Sequence, residues 1–178
     1  MKHLQAVTGL ALACVIAASA ADAQASKQAP ALDDPTIVAI FDAANTWDIE
    51  TGRIAVKRGS TQAVRDFGKQ LSGDHEMVRQ QGRDLAKSLH VTPTPPKDFA
   101  MATDHKAAVK RLSALKGKAF DRAFLEHEVA FHKAVLDVVS TTLMPALQNQ
   151  QVKDLVTRVA PAFNAHMVAA QNLLDKMK

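Results

Sequence analysis

Six residues in this chain have the types and spacing for metal or proton chemistry: His75, His132, His166, Asp74, Glu128 and Asp48. The three histidines fall on the apolar stripes of three different helical patterns. Asp74 stands beside His75, and Glu128 lies one helical turn before His132. Burying an imidazole costs free energy unless its ring nitrogens find partners. Three rings turned into one small core therefore require a shared polar network or a shared metal. The i, i+4 spacing of Glu128 and His132 can place both side chains on one ion.

Two arrangements satisfy these residues. One is a metal centre on His75, His132 and His166, with Asp74, Glu128 or Asp48 as carboxylate ligand or as the group that orients an imidazole. The other is a hydrogen-bonded core of the same histidines with Asp74 and Glu128, which fixes helix register and holds no ion. The set is richer in imidazole and poorer in carboxylate than a di-iron site needs, and the chain contains no Glu-x-x-His pair. Zinc, copper or a single iron tolerates such ligation better. Catalysis is the weaker expectation. No serine sits in a nucleophile-elbow setting and no Gly-rich phosphate loop appears, so covalent hydrolysis has no support. A single-metal oxidoreductase ranks third, since the chain has no tyrosine to carry a radical and only Trp47 could substitute.

Four long amphipathic patterns must position these side chains. Asp33-Asp34-Pro35 reads as a helix start, and helix one runs to about Arg58 with Ile37, Phe41, Ala44, Asp48, Thr51 and Ala55 on one stripe. Glu50 falls instead toward the flank of Trp47 and Ile54. Gly59 fits the C′ position, and Ser60 or Thr61 can cap helix two, whose stripe holds Val64, Phe67, Leu71, His75, Val78, Leu85 and Leu89. The prolines from Pro93 to Pro96 end it. A short helix over 104–115 follows, in a connection long enough to cross the end of a bundle. Helix three begins near Lys118 and turns Phe120, Phe124, Glu128, His132 and Val135 inward, with Pro145 at its end or at a kink. Helix four carries Val152, Leu155, Val159, Phe163, His166 and Ala170, and Pro161 should kink it. The fold expected is all-α: an antiparallel four-helix bundle with a short extra helix between helices two and three.

The helical rise allows a check of levels. Measured from a turn near Gln148, His132 lies ~24 Å back and His166 ~27 Å on, so these two should meet. Across the Gly59 turn, Asp48 and His75 lie ~17 Å and ~23 Å away, about one turn out of register. His127 reads as a half-exposed flank residue. His90 and His105 read as solvated.

Composition narrows the class further. The formal net charge is +4, but basic residues alternate with acids, which describes a solvated helical surface and not a nucleic-acid patch. A short basic start, an apolar run from Leu4 to about Ala18 and Ala-x-Ala sites have the layout of a secretory signal peptide. The boundaries expected are 1–25 for the signal, 26–34 for a flexible segment and 35–178 for the bundle. Cys14, the only cysteine, lies inside that apolar run and lacks the upstream leucine of a lipoprotein site. The processed chain would be periplasmic or secreted, with no disulfide, no thiolate ligand and no transmembrane segment. Its helix faces leave room for a homo-oligomer.

Several stretches carry a family likeness. They are Asp48-Ile49-Glu50-Thr51-Gly52-Arg53-Ile54-Ala55, the Asp74-His75 pair, Leu115-Lys116-Gly117-Lys118-Ala119-Phe120-Asp121 followed by His132, and Pro161 five residues before His166. From about Pro35 to Leu174 the chain resembles a bacterial family of exported proteins of unknown function, grouped with the ferritin-like folds and often labelled outer membrane proteins. The resemblance implies a ferritin-like bundle and marks Asp48, Asp74, His75, His132 and His166. It implies no activity. A β-barrel is at odds with the helical patterns. The function expected is non-catalytic metal binding or a stress-associated role, with a structural or interaction bundle as the alternative.

Overall fold

The Asp33 carboxylate accepts a hydrogen bond from the Thr36 N–H at 2.9 Å, and Pro35 occupies the first turn behind it. The helix they start, α1, spans Asp34–Arg58. This computed structural model describes residues 32–97 and 99–177. The expected signal peptide, and most of the segment before the bundle, lie outside those residues. Thr61 caps α2, Gln62–Ser88, through the Val64 N–H at 3.3 Å. Gly59, between the two helices, takes φ −54° and ψ 127°, so its role is not the left-handed one of a C′ glycine. Space is the reason for it: a Cβ there would lie 2.8 Å from the Ala55 carbonyl oxygen.

α1 and α2 touch through bare backbone. A Cβ on Gly52 would sit 2.7 Å from the Gly68 oxygen, and one on Gly68 would sit 2.7 Å from the Gly52 oxygen. This contact sets the register of the hairpin. Gly52 faces Gly68 and Ser72, so Asp48, one turn further along, comes level with His75.

The connection after α2 corrects an expectation. It does not cross an end of the bundle; it runs along its length. At one end the Thr94 N–H bonds the Pro35 oxygen at 3.1 Å, and at the other the Arg58 guanidinium donates to the Ser113 and Leu115 oxygens. Between them α3, Ala100–Ala114, packs on α1 and α4. It starts four residues earlier than its sequence pattern, because Phe99 anchors its first turn against Trp47 at 5.2 Å between ring centres. Gly117 then takes φ 58°, a left-handed turn that glycine adopts freely, and opens α4, Gly117–Val138.

Pro145 acts earlier in the chain than its own position. It has no N–H to give the Thr141 carbonyl, and the preceding residues Val139–Leu143 widen into a π-helical turn in which the Met144 N–H reaches back to Val139. A single turn, α5, Met144–Ala146, follows, and Asn149 caps α6, Gln150–Asp175. α6 continues through Pro161; both Pro161 and Thr157, whose carbonyl loses its donor, lie on the exposed face.

The described residues contain no strand. α1, α2, α6 and α4 form the bundle in that cyclic order, each antiparallel to its neighbours. Two polar clasps tie the ends. Asp121 of α4 accepts from the Ser60 N–H at 2.7 Å, the Ser60 hydroxyl at 2.5 Å and the Thr61 N–H at 3.2 Å. Asp34 accepts from the Gln148 and Asn149 N–H groups at 3.0 and 3.1 Å. Apolar clusters fill both ends, one around Phe67, Phe120 and Phe124 and one around Ile37, Ile40 and Val156. The polar residues lie between them.

Candidate metal centre

All four bundle helices contribute to one buried polar layer. α1 supplies Asn45 and Asp48, α2 supplies His75, α4 supplies Glu128 and His132, and α6 supplies His166. Glu128 and His132 are 0% exposed, Asp48 and His75 1%, and His166 3%. Asp74 is the member that reaches solvent, with 36% of its side chain exposed. One ligand atom from each of His75, His132 and His166 lies within 4.8 Å of the others; the same holds for Asp48, Glu128 and His132. Five of the six predicted residues therefore converge, and Asp74 stands outside both groups.

Hydrogen bonds at the rim decide which nitrogen of each ring is bare. Asn45 Nδ2 donates to the Phe41 oxygen at 2.8 Å, which turns Asn45 Oδ1 toward His75 Nδ1 at 2.9 Å. The proton of His75 is therefore on Nδ1, and Nε2 keeps its lone pair. Asp74 Oδ2 lies 2.9 Å from His166 Nε2 and holds that proton there, leaving Nδ1 bare. His132 Nδ1 donates to the Glu128 carbonyl oxygen at 2.9 Å, and its Nε2 is buried with no partner. With both rings neutral, His75 Nε2 and His166 Nδ1 face each other at 3.2 Å with lone pair against lone pair. Either a cation between them or a second proton on one ring relieves such a contact.

The carboxylates present the matching deficit. Both oxygens of Asp48 and both of Glu128 are buried with no fixed donor, and the two carboxyls stand close enough for one, when protonated, to bond the other. Asp48 Oδ2 also stands 3.5 Å from His75 Nε2. Burial pushes the Glu128 carboxyl up to about 7. Asp48 is held well above the usual carboxylate range, by burial first and by the adjacent Glu128 second. The imidazoles move the other way. Burial lowers His75 to about 2, helped by His132 and His166, and lowers His132 to about 3. Neutral imidazole is the form that binds metal, whereas two buried carboxylates cannot both ionise without a cation.

Three expectations change here. Asp48 and His75 were calculated a turn apart from a pivot at Gly59; the Gly52–Gly68 contact brings them together. His105 is not solvated but 6% exposed: Trp47 stacks on its ring at 5.3 Å, and its Nε2 donates to Glu50 Oε2 at 2.9 Å. Asp74 points its hydrogen-bonding oxygen at the outer edge of His166, away from the facing nitrogens. Asn45 carries no signal as a ligand type, yet it sits three residues before Asp48 on the same helix face, and that spacing was the clue to it.

Comparison with known proteins places the chain. A family model described as "Domain of unknown function (DUF4142)" matches residues 19–173. The protein belongs to the DUF4142 family. Among curated proteins nothing matches. A solved structure titled "Crystal structure of DUF305 fragment from Deinococcus radiodurans" superposes with a TM-score of 0.70 at 14% identity, covering 80% of this chain and 95% of that one. At that identity the likeness concerns the helical fold alone. Among the described residues of this DUF4142 protein, no helix is long and apolar enough to cross a membrane.

Proposed function

We propose that this protein is an exported, ferritin-like helical bundle that holds one divalent transition-metal ion in its core and does not turn over a substrate. The observation that carries the reading is the approach of His75 Nε2 and His166 Nδ1 to 3.2 Å, beside the partnerless His132 Nε2 and the buried carboxyls of Asp48 and Glu128, which no fixed donor reaches. Three neutral imidazoles and two carboxylates sum to a charge of −2, which a divalent cation cancels. Imidazole-rich sets suit zinc, copper and iron, whereas magnesium and calcium prefer oxygen alone. Asp74, Asn45 and the Glu128 carbonyl are the outer partners that fix the three tautomers. The single long crossover between α2 and α4 is the connection that ferritin-like bundles use. Export rests on the signal-like first 25 residues.

A second arrangement has one observation in its favour. The Asp74 carboxylate would stabilise a protonated His166, whose Nδ1–H would then donate to His75 Nε2. That core would be structural, and it would support an interaction role. Metal analysis separates the two. Untagged protein purified from periplasm without chelator should carry near-stoichiometric metal, and chelated protein should regain it from added zinc, iron or copper. Metal-free protein that takes up none of them would overturn the metal reading.

A further inference from the structure

Beneath the π-helical turn, between α1, α4 and α6, lies an apolar cavity walled by Ile40, Val135, Leu143, Val156 and Val159. It leaves about 30 Å³ for the centre of a water-sized sphere. A single water needs about 10–15 Å³ by that measure, together with two to four polar partners. Size admits water here, and chemistry does not. Asn45 is the one polar side chain in the lining, and one N–H and its oxygen are already engaged by the Phe41 carbonyl and His75. What remains on a single amide falls short of the separate partners a water needs, so the space stays dry and takes small apolar molecules instead.

The cavity also ends at the polar layer. Asn45 holds His75 at 2.9 Å, and Phe163 stands edge-on to His75 at 4.8 Å and lies 5.8 Å from His132 between ring centres. Two of its walls, Val139 and Leu143, belong to the π-helical turn, a distortion that interrupts regular helix bonding and recurs at functional sites. We propose that this cavity is a binding site for a dioxygen-sized apolar molecule, held against the imidazole layer. Binding rests on the cavity alone; only the use of a molecule so placed rests on the proposed metal centre.

The test uses chelated protein under dioxygen pressure, with paramagnetic relaxation of methyl protons as the readout. The methyls of Val135, Val156 and Val159 should relax faster, by about twofold or more, than those of Val38 and Val64, which are comparably buried and do not line the cavity. Val156→Phe should remove the difference at Val135 and Val159, and Val156→Ile should reduce it where the larger side chain prevents folding. Equal relaxation at all five residues, or an enhancement that survives both substitutions, would overturn the proposal. Shifts of the same methyls with benzene as large as those with xenon would replace the diatomic ligand by a hydrocarbon and overturn it also. Because no metal is present, none of these outcomes depends on the metal reading.

Discussion

Two groups of histidines occupy this bundle, one in the core and one on the flank, and they differ in what their nitrogens meet. On the flank, His105 is 6% exposed, stacked on Trp47 and bonded to Glu50, and its Nδ1 is left without a partner. His127 stacks on Phe131 nearby, and burial lowers it to about 4. In the core, His75, His132 and His166 are each held at one nitrogen by an outer partner, and their other nitrogens converge with two carboxylates, His132 Nε2 unpartnered and His75 Nε2 against His166 Nδ1. Burial and an orphaned nitrogen are common to His105 and His132. Convergence belongs to the core alone, and it distinguishes a candidate ligand set from a packed aromatic residue with a polar edge.

The sharpest way to break that contrast is to remove one histidine from each group. His132→Ala should weaken metal binding by more than about 100-fold, beyond the 10–100-fold that outer partners cost, while His105→Ala leaves the affinity where it was. Competition against a colorimetric chelator measures both. Equal losses would mean that the core has no special claim.

Next in size is the pH dependence of the chelated protein. Folding lowers His132 from 6.5 to about 3 and His75 from 6.5 to about 2, so the unfolded chain binds the extra protons and stability falls as pH drops below 6.5. Glu128 is raised from 4.5 to about 7, so its contribution is present below 4.5 and is lost as pH rises through 7. Asp48 is raised in the same direction as Glu128, so two carboxyls oppose two histidines between 4.5 and 6.5 and the chelated protein should be most stable in that window. Below it the histidines prevail, at a cost on the order of a kcal/mol per pH unit, and above it Glu128 removes less than about 1 kcal/mol while Asp48 adds to the loss. Saturating zinc should flatten the alkaline side, because metal binds the deprotonated carboxylates. Urea titrations from pH 4 to pH 9, with and without zinc, would show a flat chelated profile if the core ionisations were ordinary.

Gly68→Ala tests what brings the core together. Its Cβ would meet the Gly52 oxygen at 2.7 Å and Ala55 Cβ at 2.8 Å, forcing α1 and α2 apart at a cost of about 1–3 kcal/mol. Metal affinity should fall with the melting temperature, although no ligand has changed. A smaller and more selective effect is expected for Asn45→Ala, which frees the His75 tautomer: a loss of about 10-fold or more in affinity. On the flank, Glu50→Gln should change stability by less than about 1 kcal/mol, as exposed pairs do, and leave metal uptake unaltered.

Much of this was legible in the chain. Spacing alone placed His132 and His166 at a common depth, with Glu128 about one turn beyond, because a short turn at Asn149 leaves two antiparallel helices little freedom in level. Spacing also separated Asp48 from Glu50, since one continues the apolar stripe and the other leaves it. The same calculation failed for Asp48 and His75. The pivot of that hairpin is set not by the glycine in the turn but by the Gly52–Gly68 backbone contact about two turns away. His105 escaped for a related reason. Its short helix has a weak stripe, and what buries it is a ring stack on Trp47 from another helix.

The sequence by itself determined the helices, their caps and the inward direction of five polar side chains, because those follow from local periodicity and local hydrogen bonding. Only the tertiary structure decided which nitrogen of each imidazole stays bare. Two of those protons are fixed by partners from distant parts of the chain: Asn45 on α1 for His75, and Asp74 on α2 for His166. A ring nitrogen has no preferred proton of its own. It takes the tautomer that its neighbours allow, and those neighbours meet only when the four helices have packed.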